Sequence, residues 1–335
     1  MNTLALPDLV SSGRLARQVA TVSADLARVS EEIATGLRSD PIDGSGNDPA
    51  KLSALERDLT LNETRLRGLS LAEGRTGTMQ RALGLVQDAA QSIGADLLGH
   101  VEKGDVASAD REANAARDAF ATVVAALNSR FADRSLFSGA AVKSAALAPP
   151  EQILTEIQVL VAGAGDANAA ITLVDAYFAP GGGFEVSAYV GSVTDAPDLE
   201  IAEGVRTNYT IRADADQFRA TLRNLALAVV GADAGFTGAS DDQRLALFRE
   251  ASLGAINASD QVIDLRAKLG VSEERIEIAT ATSTAEKNFL ERARNAIIAK
   301  DPFEAAAELT TIETQLQSLF SITARLSRLN LTNFL

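Results

Sequence analysis

Few residues in this 335-residue chain have the chemistry to act on a substrate. Cysteine is absent and His100 is the single histidine, which leaves no thiolate nucleophile, no disulfide and no Cys/His set for structural zinc. His100 sits before Gly104 at the end of a helical pattern, where a cation suits the last carbonyls, and no nucleophile or orienting acid accompanies it in a readable motif. The loop Asp43-Gly44-Ser45-Gly46-Asn47-Asp48 is oxygen-rich like a calcium loop, but Ala54 occupies the twelfth position from Asp43, where a bidentate glutamate is required. No Gly-Lys-Ser/Thr closes that loop into a phosphate cradle. The pairs Asp214/Asp216 and Asp241/Asp242 flank helical patterns and read as caps and partners of the helix dipole. The expectation is therefore no enzyme, no cofactor and no metal.

What the chain does offer is apolar spacing. Leu15, Val19, Val22, Leu26, Val29 and Ile33 recur in steps of 4, 3, 4, 3 and 4. Near the other end Leu309, Ile312, Leu316, Leu319, Thr323 and Leu326 recur in steps of 3, 4, 3, 4 and 3. A stripe advancing 3.5 residues per repeat is a coiled-coil seam, narrower than the face of a globular helix. Each seam needs a partner helix, and the simplest partner is the other one. Two readings stand at this point: plain intramolecular bundle packing, or a seam that also builds a polymer.

Composition agrees with long, close-packed helices. Ala, Leu, Ile and Val dominate an apolar fraction of 46%, aromatics are 4% and Trp is absent. The charge balance of 45 acidic against 31 basic residues disfavours nucleic acid, whose phosphates need a basic footprint. Uninterrupted apolar runs such as 123–127 and 226–230 are far short of a membrane span, so no membrane is expected as partner. Residues 1–10 lack the basic start of a secretory signal and contain Pro7 and Asp8.

The elements that carry these stripes can be placed. A helix is expected over 11–35, ending at Gly36, and a second starts at Asp48-Pro49, with Asp as cap and Pro at the first helical position. It keeps its rhythm through Leu52, Leu55, Leu59, Leu66 and Leu69 if Asn62 fills one slot, then through Met79, Leu83, Val86, Ala90, Ile93 and Leu97. A third helix is expected over 105–130, with Phe120, Val123, Val124 and Leu127 on one face. The texture then breaks at Pro149-Pro150, Gly181-Gly182-Gly183 and Pro197; a helix near 151–161 and strands at 184–190 and 208–213 suggest a small α/β insertion. Helices return over 218–230, 241–269 and 271–298, and the last opens with Asp301 and Glu304 as a capping-box pair. The expected fold is mainly α: a long antiparallel helical bundle or coiled coil from both termini, with a small inserted α/β domain. The expected division is 1–140 and 214–335 for the helical core domain and 141–213 for the outer insert.

Specific residues carry a family likeness. Ser30-Glu31-Glu32-Ile33-Ala34-Thr35-Gly36-Leu37-Arg38, followed by Asn47-Asp48-Pro49-Ala50, resembles the N-terminal signature of bacterial flagellins and their relatives. That signature ends a helix at glycine before an arginine and opens the next with Asp-Asp-Pro-Ala; Asn47 stands here for the first Asp, and Ala34-Thr35 for the usual Ser-Ser. The segment 131–139, with Phe137-Ser138-Gly139, and the C-terminal run 315–335, closing on Asn333-Phe334-Leu335, are similar to the hook–filament junction subgroup, the FlgL type.

The resemblance implies a structural subunit of the bacterial flagellum that self-assembles through paired terminal helices. It implies export through the flagellar type III channel without a cleaved signal peptide, and an extracellular location. Implied partners are copies of itself, another hook-associated protein, flagellin and an export chaperone in the cytoplasm. The alternative within the family is a flagellin forming the filament shaft. A signalling or secretion-translocator coiled coil would need a membrane span or a pocket that the sequence does not display.

Overall fold

The computed structural model describes residues 6–40, 49–233 and 240–332, with side chains described over 13–40, 49–233 and 240–325. The loop at Asp43, the motif residues Asn47, Asp48, Phe334 and Leu335, and the side chain of Leu326 lie outside these limits. The described helices are α1 (Leu6–Thr35), α2 (Pro49–Glu102), α3 (Val106–Leu127), α4 (Pro150–Val161), α5 (Ala167–Phe178), α6 (Asp216–Ala232), α7 (Asp241–Ile298) and α8 (Pro302–Thr332). Two antiparallel hairpins, β1 (Arg130–Phe131) with β2 (Arg134–Ser135) and β3 (Leu199–Ala202) with β4 (Val205–Thr207), complete a mainly α fold.

The chain divides into two compact units. A terminal unit holds residues 1–63 and 284–335, and a central unit holds 64–283. Both expected boundaries, 140/141 and 213/214, fall inside the central unit. Helices α2 and α7 each contribute residues to both units, because their apolar rhythm does not stop at the division. Asn62 is buried in the α2 stripe between Leu59 and Leu66, filling the slot its spacing assigns, and its Nδ2 donates to Glu286 Oε2 at 2.7 Å.

The central unit has a continuous apolar core. Phe120, Val123, Val124 and Leu127 of α3 are all buried there, with the α2 positions Met79, Leu83, Val86, Ile93 and Leu97 and the α6 positions Phe218, Leu222 and Leu225. Asp105 caps α3 by accepting from Ser108 N at 3.0 Å. Helix α7 runs unbroken for 58 residues through Gly270, where two stretches were expected. A glycine inside a helix costs about 1 kcal/mol, too little to break one held by packing at Val262, Leu269 and Ile276.

The insertion differs from expectation in its strands. Residues 184–188 form a single π-turn, closed by the Tyr189 N–H bond to Phe184 O at 2.7 Å. Phe184, Ala188 and Tyr189 are buried and Val186 is exposed, a spacing of four and five that no strand can satisfy. Residues 208–213 make no ladder; Ala213 N instead donates to Phe137 O, and Asn208 O accepts from Ser272 Oγ. The hairpin forms earlier, at 199–207, where Gly204 at φ 70° makes the turn. Helix α5, capped by Asp166, had no counterpart in the sequence reading.

Candidate functional site

The terminal unit contains the two seams, and its geometry starts from the turns that orient them. Gly36 ends α1 at φ 71°, a conformation open to glycine at little cost. The chain then pairs with the segment before α8: Arg38 N donates to Ile298 O at 2.8 Å, Lys300 N donates to Gly36 O at 3.0 Å, and Leu37 bridges Ala299 in antiparallel register. Arg38 adds a bond from Nε to Ala299 O at 3.1 Å and an ion pair with Glu304 at 3.6 Å. The motif residues Gly36 and Arg38 therefore clamp two turns together, and Pro49 opens α2 as its spacing required.

From that clamp α1 runs back and α8 runs forward, so the two helices lie antiparallel. Val22, Val29, Ile312 and Leu319 are buried between them, and Leu15, Val19, Leu26, Leu309 and Leu316 are packed against these four. The two seams thus meet each other within one subunit. Two expected members do not join them. Ile33 is 44% exposed, because Glu32, only 4% exposed, takes the inward slot after Val29. Thr323 is exposed and turns its hydroxyl onto its own helix, donating to Leu319 O at 2.7 Å.

Glu32 anchors an ionic cluster at the clamped end. Its Oε1 accepts from Ser39 N at 2.9 Å and from Arg28 at 3.3 Å, and Lys300 Nζ stands 3.6 Å from its Oε2. Lys300 also donates to Glu308 Oε2 at 2.8 Å, and Arg28 donates to Glu308 Oε1 at 2.9 Å. Burial opposes ionisation of Glu32 most strongly, yet the Ser39 bonds and the charges of Lys300 and Arg28 outweigh it and hold its pKa below the ordinary value. The Lys300 and Arg28 bonds lower Glu308 as well, and the Glu308 bond raises Lys300. Two cations and two carboxylates from α1, α8 and the turn before α8 thus fix how far along one another the helices sit. Sequence reasoning passed over this cluster; its one local signal was Arg28 and Glu32 at i,i+4 spacing.

Asp301 caps α8, accepting from Phe303 N at 2.8 Å and Glu304 N at 3.3 Å. The reciprocal half of the expected box is replaced by the Glu304–Arg38 pair. Around the seam the terminal unit presents apolar side chains to solvent: Phe303 is 88% exposed, and Phe289, Phe320, Ile322, Leu37 and Leu61 are exposed with it.

The remaining singled-out residues have structural duties in the central unit. Phe137 is buried edge-on to Phe218, with ring centres 6.0 Å apart. Ser138 is buried and its hydroxyl donates to Ala141 O at 2.9 Å. Gly139, at φ 61°, leaves no room for a Cβ, which would lie 2.5 Å from Thr194 O. His100 lies in the last turn of α2. Asp214 pairs with Arg212 rather than capping, Asp216 and Asp241/Asp242 sit in first turns, and Ser240 Oγ accepts from Gln243 N at the start of α7. Among the described residues no group of three or more His, Asp or Glu could hold a metal ion, and no helix is long and apolar enough to cross a membrane.

Residues 254–335 match the bacterial flagellin C-terminal helical region. In fold, the chain is similar to a solved Vibrio parahaemolyticus structure assigned as a flagellar hook-associated protein, with a TM-score of 0.54 at 14% identity, covering 75% of this chain and 98% of that one. No curated protein matches the sequence. The chain is thus flagellin-like by sequence in its last quarter, and over most of its length it shares the fold of the Vibrio structure.

Proposed function

We propose that this protein is a structural subunit of the bacterial flagellum, a hook–filament junction protein that self-assembles through its paired terminal helices, and that it is not an enzyme. The observation that carries this reading is the antiparallel pairing of α1 and α8 through Val22, Val29, Ile312 and Leu319, with Phe303, Phe320 and Ile322 left in water beside it. A pair of helices of 30 and 31 residues held by so thin a seam gains most when neighbours cover its outer faces. Its partners on this reading are further copies of itself, a second hook-associated protein on one side and flagellin on the other, with an export chaperone before it leaves the cell. The flagellin-like sequence at 254–335 and the fold shared with a hook-associated protein support the same assignment.

Electron microscopy of the purified full chain tests the assembly: rings or short stacks are expected, and they should vanish when Val29 and Leu319 are both replaced by Asp. Deletion of the gene separates junction from filament. Cells should keep their hooks and shed flagellin into the medium; completed junctions without shafts would instead make the chain a filament flagellin.

A further inference from the structure

The central unit holds one cleft whose chemistry its own residues leave unanswered. It opens between α2, the β1–β2 hairpin and the segment 196–210, and its cavity volume is about 40 Å³. Arg75, Arg134, Ser135, Tyr209 and Thr210 supply its polar wall, and no carboxylate lines it.

Four arginines of this unit are answered by acids, while others such as Arg81 and Arg266 bond neutral oxygens. Arg212 meets Asp195 and Asp214, Arg219 meets Glu185 and Asp216, Arg223 meets Asp175 and Glu250, and Arg244 meets Asp110. Arg75 is half-buried and forms no ion pair among the described residues; its Nη1 donates to Tyr209 OH at 3.2 Å, and its Nε is buried with no acceptor. Arg134 likewise has no ionic partner among the described residues. Ser135 is 5% exposed and its hydroxyl, buried in the same wall, has no hydrogen-bond partner among the described residues. Buried donors without acceptors are costly, and two of them, Arg75 Nε and Ser135 Oγ, converging on one cleft beside the exposed guanidinium of Arg134 call for an acceptor from outside.

The backbone is also built to hold this wall. Ala132 and Asp133 turn the β1–β2 hairpin with φ of 47° and 60°, conformations unfavourable for residues with a Cβ. Phe131 seats the hairpin on α2 against Gly74, where a Cβ would come within 2.3 Å of the ring. Arg134 and Ser135 follow directly, so the strained turn sets their position against Arg75.

We propose that this cleft binds a small oxyanion, a phosphate or a carboxylate. Two guanidinium groups match the paired oxygens of either, and the Ser135 hydroxyl adds a third donor. Apolar walls at Met79 and Val142 lower the local dielectric and strengthen the attraction.

The molecule contains its own reporter. Trp is absent, and of three tyrosines only Tyr209 lines the cleft, bonded to Arg75. Tyrosine emission of the full chain is followed while sodium phosphate or sodium acetate is added at fixed ionic strength, with chloride as the balancing salt. A saturable change is expected with at least one of the two, and the one saturating at lower concentration names the ligand chemistry. Arg134→Gln, at an exposed position that folding does not need, should raise the half-saturation concentration at least tenfold. Ser135→Ala should weaken binding less, and Tyr209→Phe should remove the signal while the anion still raises the melting temperature. A response that is linear in both anions, or unchanged in Arg134→Gln, would overturn the site.

Discussion

The two units of this chain solve the same packing problem with different reserves. The central unit closes a broad core in which α2, α3, α6 and α7 bury aromatic and aliphatic side chains on several sides. The terminal unit has one narrow seam between α1 and α8, with four buried side chains and five packed around them, and an ionic cluster at one end. The first arrangement is complete within a single chain. The second hides one stripe of each helix and leaves Phe303, Phe320 and Ile322 exposed. On the proposed function, stability and assembly are divided between the units: the core keeps the fold, and the thin seam keeps surface in reserve for neighbours.

Substitutions can break that division from either side. Phe120→Ala empties a fully buried site in the central core and should cost about 3–5 kcal/mol in urea unfolding. Its effect should fall on the central transition and leave the ends of the chain unchanged. Lys300, whose side chain is 8% exposed, is the matching point in the terminal unit. Lys300→Met should cost about 3 kcal/mol, because Glu32 and Glu308 are left without their shared cation. That loss should appear as faster proteolysis within 13–40 and 302–325, with the central unit untouched.

The same cluster gives a pH dependence. Glu32 and Glu308 have folded pKa values below their ordinary 4.5, so their contribution is present above that value and is lost as pH falls through the lower folded values. Lys300 is raised above 10.5, so its contribution is present below that value and is lost as pH climbs past it. Circular dichroism against pH should show the terminal helices loosening in acid before the core does, and Lys300→Met should flatten that difference.

Smaller changes sharpen the comparison. Val29→Ala should cost about 2 kcal/mol, since its site is enclosed by the partner helix. Asp301→Ala removes two cap bonds from α8 and should cost about 1 kcal/mol. Both should reduce ring formation more than they lower the melting temperature of the whole chain.

How much of this was legible in the sequence follows the same division. The seam positions from Leu15 to Val29 and from Leu309 to Leu319 declare themselves, because a 3.5-residue period is a local property of the chain. The long α2 stripe is equally plain, including the odd slot at Asn62. Ile33 and Thr323 could not be excluded by period alone: a clamped turn and a hydroxyl bond decide their places. In the insertion the period misleads. Phe184, Ala188 and Tyr189 pack through a π-turn, and the triple glycine before them is needed because a Cβ at Gly183 would lie 2.4 Å from the Tyr177 ring. The ionic cluster joins residues some 270 positions apart, and the cleft at Arg75 joins three separate segments, so neither leaves a contiguous trace. The Phe137-Ser138-Gly139 motif was visible as a pattern, but its role as a buried corner required the fold.

Hydrogen–deuterium exchange on the full chain, measured before and after assembly, addresses the division of labour most directly. In the unassembled protein, amides of α1 and α8 should exchange much faster than those of α3 and α6, and assembly should slow the first pair while leaving the second unchanged. Terminal helices already as protected as the core in the lone subunit, and no slower after assembly, would contradict the account.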